Sequence, residues 1–383
     1  MMEEAAAVSK GLEDVYIKTT KLTTIDGNKG ILRYRGYDIN DISEHGTFEE
    51  VIHLMVYGEL PNKEQLKALR DSLKSHYALD KGIMEVISKL PRDGEPLGML
   101  EVAFSMLAMK EKNYKWEPKT DREKAIDIIA KAVTIVANIY RVKEGLPVKE
   151  PVIKESYAET FMSTCFDKPV SKEVISSMDK ALILYTDHEV PASTTASLVV
   201  ASTLSDMASS VVAGIAALKG PLHGGAAETA FKQFEDIGDV DKVEPWFKEN
   251  IINNKAKLMG FGHRVYKTMD PRAKIFKRYS EMFAKDNPKV DKYFQIAKKL
   301  EELGVKEFGN KGIYPNTDFY SGIVYYAMGF PTYMPTPLFA LSRTTGWLSH
   351  IMEYVEEQQR IIRPRAIYVG IQERKYVPID QRH

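Results

Sequence analysis

The spacing of apolar residues predicts helices along most of the chain. After Thr47, apolar side chains recur every three or four residues, as in a helix with one buried face. Thr47 and Glu50 have the spacing of a capping box, and Gly58 is suited to end that helix. The same spacing at Thr120 to Glu123 predicts a second helix that stops at Gly145. Further helices are expected at residues 63–76, 173–185, 226–234, 242–252, 271–283, 290–303, 320–328 and 338–360.

Only the N-terminal part of the chain has the pattern of strands. Residues 15–25 and 30–37 are predicted to pair as a hairpin, because Asp26-Gly27 tolerates the positive φ of a tight turn. A short extended segment is expected at residues 366–370. Strands and helices do not alternate along the chain, and no repeat of about 20 to 50 residues is present. These observations disfavour a doubly wound sheet, an α/β barrel and a solenoid, and they predict an all-α fold with a short N-terminal β hairpin.

Chain breakers divide the helical part into two predicted domains. Gly220-Pro221 and the Gly-Phe-Pro sequence at 329–331 enclose a segment that contains most of the unusual motifs. Such breakers are suited to be hinges. We therefore expect a large helical domain formed by residues 1–219 and 330–383, and a smaller mobile helical domain formed by residues 220–329.

One stretch, residues 196–218, is apolar enough to suggest a membrane segment. It consists mostly of Ala, Ser, Thr and Val, and Asp206 lies in its middle. A carboxylate at bilayer depth is costly, whereas small residues allow helices to pack closely in a large helical protein. We interpret this stretch as a buried helix pair and expect no membrane association.

Charge and cysteine content exclude several classes of protein. The 383 residues contain 53 Lys and Arg against 53 Asp and Glu, which argues against binding of nucleic acid through its phosphates. The single cysteine, Cys165, cannot form an intramolecular disulfide, and no Cys/His cluster has zinc-ligand spacing. The acidic N-terminus lacks the apolar core of a signal peptide. A reducing, cytoplasmic location is expected, with Cys165 as a small core residue.

His223 lies in a turn, Gly220-Pro221-Leu222-His223-Gly224-Gly225, that leads into an alanine-rich helix. The positive end of a helix dipole disfavours imidazolium and lowers the pKa of such a histidine. A neutral imidazole in this place could donate a hydrogen bond to a developing enolate. The alternative is a structural histidine whose hydrogen bonds go to loop carbonyls; the glycine pair favours function, because it permits close approach of a ligand.

His263 lies in a loop rich in glycine and cations, Met259-Gly260-Phe261-Gly262-His263-Arg264-Val265-Tyr266-Lys267. The loop lacks the third glycine of a dinucleotide-binding motif, so that interpretation is rejected. Bare glycine amides and nearby cations suit an anionic, phosphate-bearing ligand. The alternative for the Lys and Arg residues alone is a solvated basic loop.

Asp318 lies in Pro315-Asn316-Thr317-Asp318-Phe319-Tyr320, at the predicted start of a helix. It could be the N-cap of that helix, or flanking aromatic residues could desolvate the carboxylate and make it a stronger base. Both interpretations remain open from the residues alone.

Other polar residues form a secondary set. His188 follows a helix and, taken alone, is expected to cap it. Arg343 and Arg363 lie among apolar residues and each needs an anion, either a protein carboxylate or a substrate. Structural or solvent roles are assigned to the remaining histidines, His45, His53, His76, His350 and His383.

Four groups of residues occur in order along the chain: Gly-Pro-Leu-His-Gly-Gly at 220–225, Gly-Phe-Gly-His-Arg-Val-Tyr-Lys at 260–267 with Asp-Pro-Arg at 270–272, Pro-Asn-Thr-Asp-Phe-Tyr at 315–320, and Arg-Pro-Arg at 363–365. Together they resemble the citrate synthase family, over nearly the whole chain. The motifs are specific for the family but not for the acyl substrate, because 2-methylcitrate synthases look alike at these positions.

The resemblance implies a catalytic set of His223, His263 and Asp318. Asp318 would remove a proton from the methyl group of acetyl-CoA while His223 donates a hydrogen bond to the thioester oxygen. The enolate would then attack the ketone of oxaloacetate, polarised by His263. Hydrolysis of citryl-CoA would give citrate and CoA, the entry step of the tricarboxylic acid cycle, without a metal and without a permanently bound cofactor.

The resemblance also implies the substrate-binding residues. Oxaloacetate would be bound by His188, His223, His263, Arg272, Arg343 and Arg363. Arg363 would come from the other subunit of a homodimer. Planar guanidinium groups suit a dianionic keto acid because they bind carboxylates through two hydrogen bonds. Coenzyme A would be held by the backbone of Leu258, Met259, Gly260, Phe261 and Gly262, and we add Arg264, Lys267, Lys306 and Lys311 as candidates for its phosphates.

Three alternatives to citrate synthesis are retained. One is the same chemistry with propionyl-CoA. A second is a metallohydrolase in which His223, His263 and Asp318 are a two-histidine, one-carboxylate metal triad. A third, a helical scaffold without catalysis, is disfavoured by the lack of repeats and by the glycine-flanked histidines.

Overall fold

The helical spacing of the sequence folds most of the chain into α-helices. The computed structural model describes residues 8–12, 15–111, 114–357 and 360–382. These ranges contain sixteen α-helices and one small antiparallel sheet. The prediction of an all-α fold with a short N-terminal hairpin is therefore confirmed.

The helices range from four residues in the shortest to 26 residues in the longest. In chain order they are α1 (Ile39–His45), α2 (Phe48–Tyr57), α3 (Lys63–His76), α4 (Lys81–Ser88), α5 (Pro96–Ala108), α6 (Pro118–Lys143), α7 (Tyr157–Cys165), α8 (Lys172–Tyr185), α9 (Ala192–Ala201), α10 (Met207–Leu218), α11 (Ala226–Ile237), α12 (Val243–Trp246), α13 (Pro271–Ala284), α14 (Pro288–Phe308), α15 (Thr317–Ala327) and α16 (Pro335–Glu357). The sequence pattern left α1, α4, α5 and α7 unassigned.

Capping chemistry explains which helix boundaries were predictable. The capping box at Thr47 is present, since Thr47 and Glu50 bond each other's backbone N–H groups, and Gly58 ends α2 with φ of 102°. The capping box predicted at Thr120 is wrong. Helix α6 begins two residues earlier at Pro118, whose fixed φ suits the first turn of a helix and whose missing N–H is not needed there.

Two further predictions, one of a helix and one of an extended segment, need correction. The helix expected at 242–252 is instead the single turn of α12 followed by a π-helical segment, Phe247–Asn253, and Pro245 in α12 cannot donate a backbone hydrogen bond. Residues 366–370 are exposed and form no strand. The last predicted helix, 338–360, includes residues 358 and 359, which lie outside the described part of the chain.

The N-terminal hairpin is shorter than predicted and docks on a distant loop. Strands β1 (Thr23–Asp26), β2 (Ile31–Tyr34) and β3 (Tyr37–Asp38) pair in antiparallel order. The positive φ of the turn lies at Gly30, at 64°, and not at Gly27. Gly27 is required for close approach, because a Cβ atom there would lie 2.1 Å from the carbonyl oxygen of Val265. Its own carbonyl accepts a hydrogen bond from the backbone N–H of Lys267.

Helix α16 runs through the centre of the fold and packs on α2, α6, α8, α9 and α10. Small residues permit this packing, since a Cβ atom on Gly214 would lie 2.5 Å from Ser197 and 2.9 Å from Trp347. The stretch 196–218 thus forms the predicted buried helix pair, α9 and α10, with Asp206 as the N-cap of α10. In the described part of the chain, no helix has both the length and the apolar composition that a membrane crossing requires.

Helices α11 to α15 pack chiefly against one another, with smaller contacts to α1, α8 and α16. The long helix α14 lies against α11, α12, α13 and α15. These helices contribute two of the predicted site loops, because one loop precedes α13 and the other precedes α15.

A buried pair of carboxylates lies between α2 and α8. Asp179 accepts a hydrogen bond from the N–H of Phe48 at 3.0 Å. Glu49 accepts one from the N–H of Tyr157 at 3.1 Å. Burial raises the pKa of Asp179 to about 7, and the charge of Glu49 adds to this shift. The folded protein therefore binds a proton that the unfolded chain releases, so stability should fall as pH rises from about 4 to about 7.

Asp179→Asn keeps an acceptor for Phe48 but removes the charge. We expect this variant to be more stable than the parent protein at pH 8, by about 1–3 kcal/mol. The difference should grow between pH 4 and pH 7 in thermal or denaturant unfolding. Asp236→Asn, at an exposed position of α11, is the control and should show no such growth. A stability difference for Asp179→Asn that is independent of pH would contradict the assignment.

Candidate active site

His223 is held in a compact turn between α10 and α11. The turn is closed by hydrogen bonds from the N–H of His223 to Gly220 and from the N–H of Gly224 to Leu218, both at 2.9 Å. A Cβ atom on Gly224 would lie 2.4 Å from the carbonyl oxygen of Leu218, so this position requires glycine. The glycine-dependent turn thus fixes the direction of the neighbouring imidazole.

Ser193 at the start of α9 sets the tautomer of His223. Its backbone N–H donates to Nε2 of His223 at 3.3 Å, and its hydroxyl lies 2.8 Å from the same nitrogen. Because Nε2 accepts, the proton of a neutral imidazole lies on Nδ1, which can donate to a ligand. Burial, and secondly the charge of Arg343, lower the pKa of His223 to about 4. The imidazole is neutral as predicted, but burial is the largest cause.

His263 has the opposite tautomer. The backbone N–H groups of Val265 and Tyr266 donate to its Nδ1 at 3.0 and 3.2 Å, so Nε2 carries the proton. Burial lowers the pKa of His263 to about 4, and the charge of Arg272 contributes to this shift. A second neutral imidazole donor is therefore available near neutral pH.

Backbone pairing joins the loop of His263 to the start of α15. The N–H of Gly262 donates to Tyr314 at 2.9 Å, and the N–H of Asn316 donates to Gly260 at 2.8 Å. Gly260 has φ of 78°, and a Cβ atom there would lie 2.8 Å from Cα of Phe319. These contacts bring together two motifs that lie about fifty residues apart in the sequence.

Asp318 is the second residue of α15 and does not cap it. Asn316 is the N-cap, and its side chain accepts a hydrogen bond from the N–H of Asp318 at 3.0 Å. The carboxylate is therefore free for another role. Burial raises the pKa of Asp318 to about 6, against the opposing charge of Arg272. The hydroxyl of Tyr185 lies 3.3 Å from Oδ1.

The two buried arginines differ in their partners. Arg272 donates to both oxygens of Asp270, at 3.0 Å from Nε and 2.7 Å from Nη2, so a protein carboxylate already balances its charge. Arg343 donates from Nε to the carbonyl oxygen of Tyr185 at 2.8 Å and lies over the ring of Phe339. Its terminal nitrogens have no hydrogen-bond partner among the residues that the structure describes. Arg343 is therefore available to bind an anion.

Phe339 connects the two sides of the site. Its ring lies 4.6 Å from the ring of Tyr185, 6.3 Å from the ring of His223 and 4.6 Å from the guanidinium carbon of Arg343. Since Tyr185 in turn contacts Asp318, one aromatic pair lies between the imidazole donor and the carboxylate. Sequence analysis did not identify Tyr185, Ser193 or Phe339, although Tyr185 lies only three residues before His188.

His188 lies inside the site and is not a helix cap. Its Nε2 is 3.2 Å from the hydroxyl of Tyr266, and its ring is 5.1 Å from that of His263. Burial lowers the pKa of His188, and the charge of Arg272 lowers it further. A third neutral histidine therefore borders the arginine pair.

The potential metal ligands of the described residues differ from the triad considered above. The atoms of His188, His263 and Asp270 lie within 4.8 Å of one another, whereas His223 and Asp318 belong to no such group in the described ranges. Both oxygens of Asp270 are bound to Arg272, and Nδ1 of His263 is bound to backbone N–H groups. This chemistry does not fit a metal cation, because the only carboxylate is already neutralised.

Arg363 is exposed and follows α16 in the C-terminal segment of the chain. The neighbouring N–H of Ile362 donates to Ser202, at the C-terminal end of α9. Ser193, which contacts His223, is at the other end of this helix, about 13 Å away at 1.5 Å per residue. In the described part of the chain, no hydrogen bond or ion pair joins Arg363 to the other proposed substrate ligands.

The sequence suggested that the glycine loop proposed for coenzyme A presents bare amides, but three of its backbone N–H groups are bonded within the protein. The N–H of Met259 donates to Gln233, that of Phe261 to Leu258, and that of Gly262 to Tyr314. The four candidate cations, Arg264, Lys267, Lys306 and Lys311, are exposed. Lys267 and Lys311 lie on neighbouring segments, since a Cβ atom on Gly312 would lie 3.3 Å from the carbonyl oxygen of Lys267.

The other histidines have the structural roles expected or lie outside the site. His53 contacts the carbonyl oxygen of Glu59 at 2.8 Å, and His76 contacts that of Ser72 at 2.7 Å. His45 is exposed and His383 lies outside the described residues. His350 is buried in a polar network, described below.

The chain is similar to known citrate synthases over nearly its whole length. The family model described as "Citrate synthase, C-terminal domain" matches residues 11–365. Citrate synthase of Saccharolobus solfataricus is 58% identical over 377 residues, covering 98% of this chain and 100% of the relative. Citrate synthase of Thermoplasma acidophilum is 54% identical over 384 residues, covering 100% of both chains.

Solved structures agree as well. The structure of the Thermoplasma acidophilum enzyme in ternary complex with carboxymethyl coenzyme A and oxaloacetate has a TM-score of 0.95 at 54% identity, covering 98% of this chain and 100% of that one. Citrate synthase from Pyrobaculum aerophilum has a TM-score of 0.89 at 42% identity, covering 98% and 95%. The chain therefore belongs to the citrate synthase family and is an enzyme of that type, a transferase.

Proposed function

We propose that this enzyme condenses acetyl-CoA with oxaloacetate and hydrolyses citryl-CoA to citrate and CoA, the entry step of the tricarboxylic acid cycle. One observation carries the proposal. A carboxylate with a raised pKa, Asp318, shares a site with two neutral histidine donors and a buried arginine, Arg343. The terminal nitrogens of Arg343 have no hydrogen-bond partner among the described residues. The 54% identical enzyme that binds carboxymethyl coenzyme A and oxaloacetate supports the same substrates for this chain.

The first step is removal of a proton from the methyl group of the thioester. Such a proton is weakly acidic, so the base must be desolvated and the developing oxyanion must meet a donor that is already in place. Asp318 has the raised pKa that suits the base, and Nδ1–H of His223 is the donor for the thioester oxygen. A neutral donor is suitable, because it stabilises the enolate without protonating it fully.

The second step forms the carbon–carbon bond. The enolate attacks the ketone carbon of oxaloacetate. The ketone oxygen accepts a hydrogen bond from His263 and then receives a proton from it. Nε2–H of His263 is free for this role because Nδ1 is occupied by backbone N–H groups. Water then cleaves the thioester of citryl-CoA and releases free CoA.

The carboxylates of oxaloacetate are proposed to bind cationic and neutral donors. Arg343 offers its terminal nitrogens, and Arg272 retains Nη1 beyond its bonds to Asp270. His188 of the same chain and Arg363 of the partner subunit complete the set. Guanidinium groups match this task, since each can bind a carboxylate through two parallel hydrogen bonds.

Coenzyme A is proposed to lie along residues 258–262. Three of their backbone N–H groups and the carbonyl oxygens of Leu258, Met259, Gly260 and Gly262 are bonded within the protein, so the second lone pairs of these carbonyls and apolar contacts would hold the adenine. The exposed cations Arg264, Lys267, Lys306 and Lys311 are candidates for the phosphates. No resident cofactor is proposed. No metal is included either, because Asp270, the carboxylate that lies with His188 and His263, is already paired with Arg272.

The proposed assembly is a cytoplasmic homodimer with a mobile small domain at residues 220–329. Two observations support shared sites. Ile362, next to Arg363, contacts the end of α9 opposite Ser193, and apolar side chains nearby are unusually exposed, with Tyr368 67% and Val369 91% accessible. Exposed apolar surface of this kind is typical of a partner contact. Closure of the small domain would exclude water from the enolate.

A thiol-release assay with oxaloacetate and a series of acyl-CoA esters tests this function. We expect the highest kcat/KM with acetyl-CoA and unchanged activity in the presence of a chelator. A preference for propionyl-CoA would instead indicate 2-methylcitrate synthesis. Activity that is lost with chelator and restored by zinc or iron would support metal-dependent chemistry and refute the proposed mechanism.

Asp318→Asn should lower CoA release by at least about a hundredfold, because the base is lost while the shape is kept. Oxaloacetate binding, measured by calorimetry, should persist. In the parent enzyme kcat/KM should rise with pH through about 6, since the pKa of Asp318 is raised to about 6 and the carboxylate must be ionised. Asp291→Asn, in the first turn of α14, is the matched control. Turnover of Asp318→Asn within a few-fold of the parent would show that another group is the base.

Arg363→Leu should weaken oxaloacetate binding and lower activity. Mixing this variant with Asp318→Asn should restore activity, because a heterodimer then contains one site with both residues intact. A 1:1 mixture that exchanges subunits freely should recover about a quarter of the parent activity. If verified heterodimers remain inactive, Arg363 serves the site of its own chain and the shared-site proposal fails.

A further inference from the structure

A buried polar network lies behind the site and has no role in the proposed reaction. The side chain of Lys18 is 1% exposed and lies 2.5 Å from Oε2 of Glu353 and 3.3 Å from Nδ1 of His350. Nε2 of His350 lies 3.0 Å from Oδ2 of Asp187. Thr23 in β1 donates to the same oxygen. The network therefore connects the N-terminal segment, the loop after α8 and helix α16.

Lys18 determines which nitrogen of His350 accepts a hydrogen bond and which one donates. An ammonium group can only donate, so Lys18 makes Nδ1 of His350 an acceptor. The proton of a neutral imidazole is then on Nε2 and points to Asp187. Burial raises the pKa of Asp187, but its contacts with His350 and the charge of Arg343 outweigh burial, so the pKa lies below its ordinary value. Asp187 is consequently a fixed, buried negative charge.

Asp187 is directly connected to both sides of the proposed oxaloacetate site. It precedes His188 in the chain, and its backbone is held by the hydroxyl of Tyr34 at 3.1 and 3.3 Å. On the other side, Gly346 of α16 lies so close that a Cβ atom there would be 2.2 Å from the carbonyl oxygen of Thr186 and 2.8 Å from Oδ1 of Asp187. Gly346 is less than one turn from Arg343, and His350 follows one turn later.

The buried positive charge of Arg343 also requires a negative charge nearby, and Asp187 provides one. Burial lowers the pKa of Arg343 to about 10, and the charge of Asp187 is the largest effect that opposes this shift. Arg272 has Asp270 beside it, whereas Arg343 has no ion-pair partner within 4.0 Å among the described residues. Asp187 therefore compensates the second arginine from a distance and leaves its terminal nitrogens free.

We propose that Lys18, His350 and Asp187, with Glu353 at the outer end, are positioning residues for oxaloacetate: they fix the loop of His188 against the helix of Arg343 and keep the charge behind Arg343 in place. The inference rests on the proposed function of the site. None of these residues contacts the reacting atoms. Their loss should weaken binding of the keto acid more than it slows the chemical step.

The test compares three variants with the parent enzyme. His350→Leu removes both hydrogen bonds, and we expect KM for oxaloacetate to rise at least about tenfold, as for the loss of one or two buried hydrogen bonds. Both kcat and KM for acetyl-CoA should change less than about threefold. His350→Gln keeps a donor at the position of Nε2 and should restore most of the affinity. His53→Leu removes a buried histidine that lies outside this network and contacts the carbonyl oxygen of Glu59 and the ring of Tyr57, and it should have no such effect.

Each outcome decides the proposal. A folded His350→Leu variant with unchanged KM for oxaloacetate overturns it, and so does an equal loss in all kinetic constants that His53→Leu shares. If His350→Leu does not fold, as judged by circular dichroism and size, Asp187→Asn decides. This variant keeps the shape and removes the charge, and its KM for oxaloacetate should also rise about tenfold; an unchanged KM overturns the proposal.

The assay also separates this inference from the proposed function. If the parent enzyme releases no CoA from acetyl-CoA and oxaloacetate, the proposed function fails. Calorimetric titration of oxaloacetate into the parent, His350→Leu and Asp187→Asn then measures the effect of the network on binding directly. Equal binding by all three proteins would refute the positioning role in that case.

Discussion

The burial of two guanidinium groups is the constraint on which the rest of the site depends. Arg272 and Arg343 are 3% and 1% exposed, and each disfavours the charge of the other. A buried cation without compensation is costly, so the fold must supply negative charge nearby. It does so in two ways. Asp270 binds Arg272 directly, whereas Asp187 compensates Arg343 at longer range and leaves it able to bind a substrate.

The same positive charge separates the titration of the acidic and basic groups. It contributes to the lowered pKa values of the three histidines, which burial has already shifted in that direction. It opposes, without cancelling, the effect of burial on Asp318. Near neutral pH the imidazoles are therefore neutral donors and the carboxylate is an available base. Burial of a few residues thus gives the site its acid–base character.

Local sequence determined which features could be predicted. The capping box at Thr47 and the end of α2 at Gly58 depend on residues within one turn, so their structures followed from the sequence. The start of α6 did not follow from the sequence, because Pro118, two residues before Thr120, is already in the first turn of the helix. Asp318 does not cap α15, because Asn316, two residues earlier, is the N-cap.

Residues that act over long sequence distances gave no signal. His350 lies 163 positions from Asp187 and 332 from Lys18, and no pattern around it differs from that of a core helix. The commitment of the glycine-loop amides to Gln233 and Tyr314 was hidden for the same reason. Motif resemblance indicated the proposed catalytic set, but the hydrogen bonds that determine each tautomer came only from the three-dimensional packing.

The docking of the N-terminal hairpin has a consequence for the order of folding. Gly27 closes against Val265 and Lys267, and Lys18 reaches Glu353, so the first strands are completed only by segments synthesised much later. Contacts of such separation form slowly, because a long loop must close before they contribute. The hairpin thus leaves the ribosome long before the segments that it contacts, and it reaches its final environment only after they are made.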